Sequence, residues 1–185
     1  MTANQKIRPI EIELLAIDLS TCTRCVGTLG SIEAAIESVR RDLPGTELRV
    51  KKTVIASEQQ AREREFLSSP TIRVNGRDIV LETKESKCVS CTDLCGCDEG
   101  TECRVWTHEG KEYTEAPQAL IVAALRRALA GGKGTERPAY PGVPENLKRF
   151  FKGKEAKAAQ CCAPKEKAGC CGEAKPGSCG CREPG

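Results

Sequence analysis

A single histidine, a single methionine and only six aromatic residues (three Phe, two Tyr, one Trp) occur among 185 residues. One histidine gives no Ser-His-Asp arrangement to argue for hydrolysis. It is His108, in Thr107-His108-Glu109-Gly110, which reads as a solvent-facing turn. Scarce aromatics argue against stacking on nucleic-acid bases, and Trp106 and Tyr113 read as cover for a core. A net charge of only +3 adds nothing in favour of nucleic acid. No apolar run approaches a membrane span. At the N-terminus, Glu11, Glu13 and Asp18 break up the apolar residues, so no signal-peptide core is present. No nucleotide cofactor is evident. The expectation is a cytoplasmic protein with no membrane or nucleic-acid partner, in a compartment where structural disulfides are rare.

Cysteine, by contrast, is abundant: thirteen residues. Without a secretory signal, that number points to metal or redox chemistry. Composition changes near Gly131. Residues 1–130 carry 18 basic and 20 acidic side chains, whereas residues 131–185 carry 11 and 6 and hold Pro138, Pro141, Pro144, Pro164, Pro176 and Pro184. The expectation is a folded domain over 1–130 and a mostly disordered cysteine-rich tail over 131–185. Within the tail, ENLKRFFKG reads as a helical turn or two whose Leu147, Phe150 and Phe151 dock on the domain.

The domain reads as α/β. Residues 10–19 are apolar on both alternating faces, as in a buried central strand. Val26, Leu29, Ile32, Ile36 and Val39 form a helix stripe that ends at Leu43-Pro44-Gly45. Leu48, Val50 and Val54 mark a second strand, parallel to the first across the helical crossover. Ser57 caps a short helix through Leu67. Residues 71–75 and 77–82 flank Asn75-Gly76, a hairpin signal. A last helix runs from about Glu115 to Ala130, with Pro117 in its first turn and Gly131 at its end. The order is β-α-β-α-β-β-α, with a cysteine-rich insertion over about 83–114 before the last helix.

Cys22-Thr23-Arg24-Cys25 lies where the first strand passes into the first helix. Amide N–H groups at a helix N-terminus favour a thiolate, and Arg24 adds positive field. Cys22 is then the nucleophile and Cys25, one turn in, the resolving thiol. The alternative is two structural cysteines or half a zinc site. Ser69-Pro70-Thr71 opens the third strand. This CxxC and the proline-led strand resemble the thioredoxin and glutaredoxin superfamily, over roughly residues 7–82 and 115–130. More narrowly, the chain is similar to a bacterial family of thioredoxin-like proteins with a cysteine-rich insertion. The resemblance implies a four-stranded sheet, Pro70 packed against the CxxC, and Cys22 as attacking thiol. The pair between the cysteines is Thr-Arg, not Gly-Pro or Pro-Tyr, which leaves substrate and redox potential open.

The insertion holds Cys88, Cys91, Cys95, Cys97 and Cys103. The inferred sheet returns it to the edge bearing Cys22, Cys25 and Pro70. Four thiolates hold Zn²⁺ tetrahedrally, but only Cys88-x-x-Cys91 matches a common half-site. The other uses are a soft ion shared with Cys22 and Cys25, a second redox pair, or free thiols in a loop. The tail's Cys161-Cys162, Cys170-Cys171 and Cys179-x-Cys181 suit wrapping Zn²⁺, Cu(I), Hg²⁺ or As(III). The expected function is thiol–disulfide exchange together with soft-metal handling. As an enzyme it would be a thiol–disulfide oxidoreductase acting on protein or small-molecule thiols and disulfides. As a non-enzyme it would be a metallochaperone or sequestering protein with a structural zinc site.

Overall fold

A computed structural model describes residues 9–132 and 138–161. The chain forms a mixed α/β structure whose first half follows the expected order. Strand β1 (Ile10–Ala16) leads into helix α1 (Thr23–Asp42), strand β2 (Leu48–Val54), helix α2 (Glu58–Glu63), strand β3 (Thr71–Val74) and strand β4 (Arg77–Asp78). The sheet order is β2-β1-β3-β4. β1 and β2 are parallel, with Ile10 opposite Leu48 and Ala16 opposite Val54. β3 runs antiparallel to β1, with Leu14 opposite Ile72, and turns back into β4 through Asn75 and Gly76. Both turn residues have positive φ, 50° and 77°, as a two-residue hairpin with the strands' twist requires. α2 stops earlier than the expected Leu67. Glu65 turns left-handed at φ 47°, and the Phe66 amide returns to the Ala61 carbonyl.

β1 positions the core because it is apolar on both faces. Ile12 and Leu14 pack with Ile32, Ile36 and Val39 of α1 and with Ile121 and Leu125 of helix α4 (Gln118–Leu129). Leu15 and Ile17 face the other way, toward Ala61, Phe66 and the cysteines. The second face is open at its N-terminal half, where Glu13 takes a hydrogen bond from Thr53 and pairs with Lys51 and Arg64. α4 begins three residues later than expected. Pro117 stays extended (ψ 136°), and its carbonyl accepts the first helical amides from Leu120 and Ile121.

The insertion has structure of its own. Strands β5 (Glu85–Lys87) and β6 (Glu102–Arg104) pair antiparallel, and the connection between them carries helix α3 (Val89–Cys95). Strands β7 (Trp106–His108) and β8 (Lys111–Tyr113) form a second hairpin, turned at Glu109-Gly110. His108 is therefore a half-buried strand residue, not a turn residue. Trp106 is buried as expected, but Tyr113 lies on the exposed face of β8.

The helical turn or two expected of ENLKRFFKG is a 17-residue helix, α5 (Glu145–Cys161). Leu147, Phe150 and Phe151 are buried against the cysteines, so the first two turns of α5, assigned to the tail by composition, pack on the domain. Each such side chain contributes roughly 1.5–3 kcal/mol by leaving water. The Asn146 side chain docks α5 onto β6: its Oδ1 accepts from the Glu102 amide at 3.0 Å, and its Nδ2 donates to the Glu102 carbonyl at 2.8 Å. Among the described residues, no helix is long and apolar enough to cross a membrane.

Candidate metal centre

β1 ends at Ala16, and the next six residues are shaped by one carboxylate. Asp18 accepts from the amides of Ser20, Thr21 and Cys22, the last at 2.6 Å, and from the hydroxyls of Ser20 and Thr21. Burial works against this carboxylate, but the hydrogen bonds from the Ser20 hydroxyl, the Cys22 and Thr21 amides and the Thr21 hydroxyl outweigh it and hold its pKa below the usual range. Cys22 is thereby set at the N-cap of α1, where no side chain caps the helix, and its sulfur is fully buried.

Three cysteines of the insertion close on it. Cys88 is the N-cap of α3, Cys91 lies one turn on, and Cys103 sits in β6 opposite Ser86. Cys22 Sγ is 3.9 Å from Cys88 Sγ and 3.4 Å from Cys91 Sγ, and Cys91 is 3.4 Å from Cys103. All four sulfurs lie within 4.8 Å of one another and all four residues are buried. A tetrahedral Zn²⁺–thiolate site with bonds of about 2.3 Å has sulfur–sulfur edges of about 3.8 Å. Three edges of the cluster, 3.4, 3.4 and 3.9 Å, lie within about 0.4 Å of that value, and no edge exceeds 4.8 Å.

Hydrogen bonds between thiols divide the charge unevenly. The bond from Cys103, followed by those from Cys25, Cys88 and Cys91, drives the Cys22 pKa far down against burial. Cys88 falls to about 7, chiefly through Cys103. Cys103 rises because its proton is held by Cys22, Cys88 and Cys91 in a buried place. Cys91 is pulled down by Cys103 but pushed up further by its bonds to Cys22 and Cys88 and by burial. The lowered pKa of Cys22 fits its place as acceptor from the Cys91 thiol, which in turn accepts from Cys103.

Arg24, between the two cysteines of the CxxC, does more than add field. Its guanidinium donates to the carbonyls of Ser86, Lys87 and Cys103 and to the Ser86 hydroxyl. It clamps the β5–β6 hairpin to the start of α1 and so brings Cys88 and Cys103 to Cys22. Its positive charge was evident in the sequence; its reach across the insertion was not.

Cys25 is buried but is not one of the four clustered sulfurs. Its Sγ lies 3.5 Å from Ser69 Oγ, which also accepts from the Ile17 amide. Its pKa is raised, first by its bond to Cys22 and then by burial. The Ser69–Pro70 peptide is cis, and Pro70 is buried where the chain enters β3. Cys95 and Cys97, expected among the metal ligands, are joined to each other by a disulfide and stand apart from the cluster. With both sulfurs bonded to each other, neither is a thiolate ligand. The expected ligands Cys162, Cys170, Cys171, Cys179 and Cys181 lie outside the described residues, as does the side chain of Cys161 at the end of α5.

Residues 9–125 match the family described as Domain of unknown function (DUF2703), and the chain belongs to that family. No curated protein and no solved structure matches the chain.

Proposed function

We propose that this protein binds and handles a soft metal ion, Zn²⁺ or another thiophilic ion, with Cys22, Cys88, Cys91 and Cys103 as its four ligands on a thioredoxin-like scaffold. The observation that carries the reading is the convergence of four buried sulfurs within 4.8 Å from two distant parts of the chain. Thiolates select soft ions, and a closed set of four favours holding an ion over activating a water on it. The strand order β2-β1-β3-β4 and Pro70 at the entry to β3 support the thioredoxin-like scaffold. On this reading the tail cysteines capture or deliver the ion. The setting is the cytoplasm, and neither a membrane nor a nucleic acid is a partner.

The test is metal stoichiometry in a full-length chain whose six cysteines from Cys161 to Cys181 are replaced by Ser. Purified without oxygen, it should take up one equivalent of Co²⁺ and show the absorption of a tetrahedral four-thiolate site. Failure to bind, or binding that survives Cys22→Ser unchanged, would overturn the reading.

A second reading is thiol–disulfide exchange at Cys22 and Cys25 on protein or small-molecule disulfides. It is favoured by the lowered pKa of Cys22 and the raised pKa of Cys25 beside it. It predicts turnover of a disulfide substrate by the metal-free chain, abolished when the ion occupies Cys22.

A further inference from the structure

The Cys95–Cys97 disulfide lies where α3 ends, beneath α5. Gly96 between the two cysteines takes the left-handed conformation (φ 62°) that closes the helix. α5 rests directly on the pair: a Cβ at Gly153 would stand 2.7 Å from Cys97 Sγ and 2.8 Å from the Cys95 carbonyl oxygen. The two sulfurs differ in access. Cys95 is 1% exposed, while Cys97 is 9% exposed and lines a cleft of about 340 Å³ with Asp98, Glu99, Arg149, Lys152 and Ala156.

Both sulfurs lie beside oxygen atoms that can serve them once the bridge is reduced. Cys95 Sγ is 3.2 Å from the Thr101 hydroxyl, a donor for a thiolate, and 3.4 Å from the Thr92 carbonyl, an acceptor for a thiol. Cys97 Sγ is 3.7 Å from the Arg149 carbonyl, a second acceptor. The bridge spans a separation of only two residues, the kind of short loop whose closure constrains an unfolded chain least. Its position therefore suits exchange better than stapling.

From this the structure assigns Cys95–Cys97 as an exchangeable disulfide for low-molecular-weight thiols, separate from the four-sulfur centre and independent of whether that centre holds an ion. A thiolate RS⁻ entering the cleft attacks Cys97 Sγ. The Cys97–Cys95 bond breaks, and its electron pair leaves on Cys95, where the Thr101 hydroxyl meets the new thiolate before a solvent proton neutralises it. A second RS⁻ attacks the RS sulfur of the mixed disulfide, releasing RSSR and the Cys97 thiolate. Two thiols are thus oxidised to one disulfide while the protein pair gains two electrons and two protons; excess RSSR drives the reverse. The cleft's size and the low exposure of Cys97 favour a small thiol over a protein cysteine.

The experiment uses the full-length folded chain in glutathione buffers of varied reduced-to-oxidised ratio, quenched with acid and differentially alkylated. Trypsin leaves Cys88 to Arg104 in one peptide, so the sites are resolved by fragmentation. Cys95 and Cys97 should change state together as the ratio is varied. In single variants, glutathione disulfide should cap Cys97 in Cys95→Ser at least about tenfold faster than Cys95 in Cys97→Ser, since access sets the rate. Three outcomes would overturn the proposal: a pair indifferent to glutathione until denaturation, equal capping rates in the two variants, or reduction by a protein dithiol alone. If a variant fails to fold, the wild-type titration decides.

Discussion

Cys22 and Cys91 are 69 residues apart in the chain, yet the Cys91 thiol donates to Cys22 Sγ across 3.4 Å. That contact joins the strand–helix junction of the sheet to a helix of the insertion, and neither part alone supplies all four clustered sulfurs. Replacing Cys22 by Ser should therefore damage the centre more than removing a neighbour that only orients a ligand. Loss of such a neighbour typically costs 10–100-fold in affinity, so Cys22→Ser should lose more than about 100-fold. Competition against a chromophoric zinc chelator measures it, and an unchanged affinity would exclude Cys22 as a ligand.

Arg24 gives a subtler effect. Its guanidinium holds the backbone at Ser86, Lys87 and Cys103. Arg24→Ala should lower zinc affinity by roughly 10–100-fold while leaving the stoichiometry at one. Arg24→Lys should restore little, because one ammonium cannot serve carbonyls arranged for a planar fork. Full rescue by Lys would mean that charge alone, and not the clamp, is what matters.

Metal uptake should also depend on pH with a definite sign. The Cys22 pKa is lowered and that of Cys88 falls to about 7, while those of Cys91 and Cys103 are raised. Ligation needs thiolates, so above pH 7 the ion must displace about two protons, and apparent affinity should rise by about 100-fold per pH unit. Below pH 7 Cys88 also protonates, and the fall becomes steeper. The ion is bound at alkaline pH and lost as pH drops. A flat profile between pH 7 and 8 would show that the two thiols are already ionised.

The parts of this arrangement that sequence discloses are local ones. The two-faced run of β1, the Asn75-Gly76 turn and the stripe of α4 each follow from neighbours within a few residues. The ligand set does not. Spacing marks Cys88 and Cys91 as a half-site, but whether Cys95, Cys97 or Cys103 joins them depends on the β5–β6 register, which sets Cys103 opposite Ser86. The fourth clustered sulfur is that of Cys22, whose pattern with Cys25 suggests a redox pair. α5 was obscured for another reason. Its apolar residues crowd into its first two turns, and the lysines that follow read as tail.

Phe150 should report how much α5 contributes. It is fully buried in the cluster that contains the cysteines. Phe150→Ala should destabilise the protein by about 3–5 kcal/mol, read as a lower midpoint in guanidinium unfolding under reducing conditions. Because whole domains hold only about 5–15 kcal/mol, the measurement is best made with zinc present, which supports the folded state. A change below about 0.5 kcal/mol would mean that α5 contributes little to the fold in solution, since surface substitutions cost that little.

Gly153→Ala sets two effects against each other. In a free helix, Ala is favoured over Gly by about 1 kcal/mol, so the substitution would stabilise α5 if its surroundings were open. They are not: the new Cβ would meet Cys97 Sγ at 2.7 Å, the Cys95 carbonyl oxygen at 2.8 Å and Cys95 Cβ at 3.2 Å. Two of these are backbone or backbone-proximal atoms at the end of α3 and cannot swing aside, so α5 or the disulfide turn has to shift. Overpacking of this kind costs about 1–3 kcal/mol, which outweighs the gain in propensity. The expected result is net destabilisation, with faster alkylation of Cys97 after reduction as the helix lifts. Gly30, in the middle of α1 with open space around its Cα, provides the control: Gly30→Ala should stabilise by up to about 1 kcal/mol. If both substitutions stabilise equally, α5 does not rest on the Cys95–Cys97 turn.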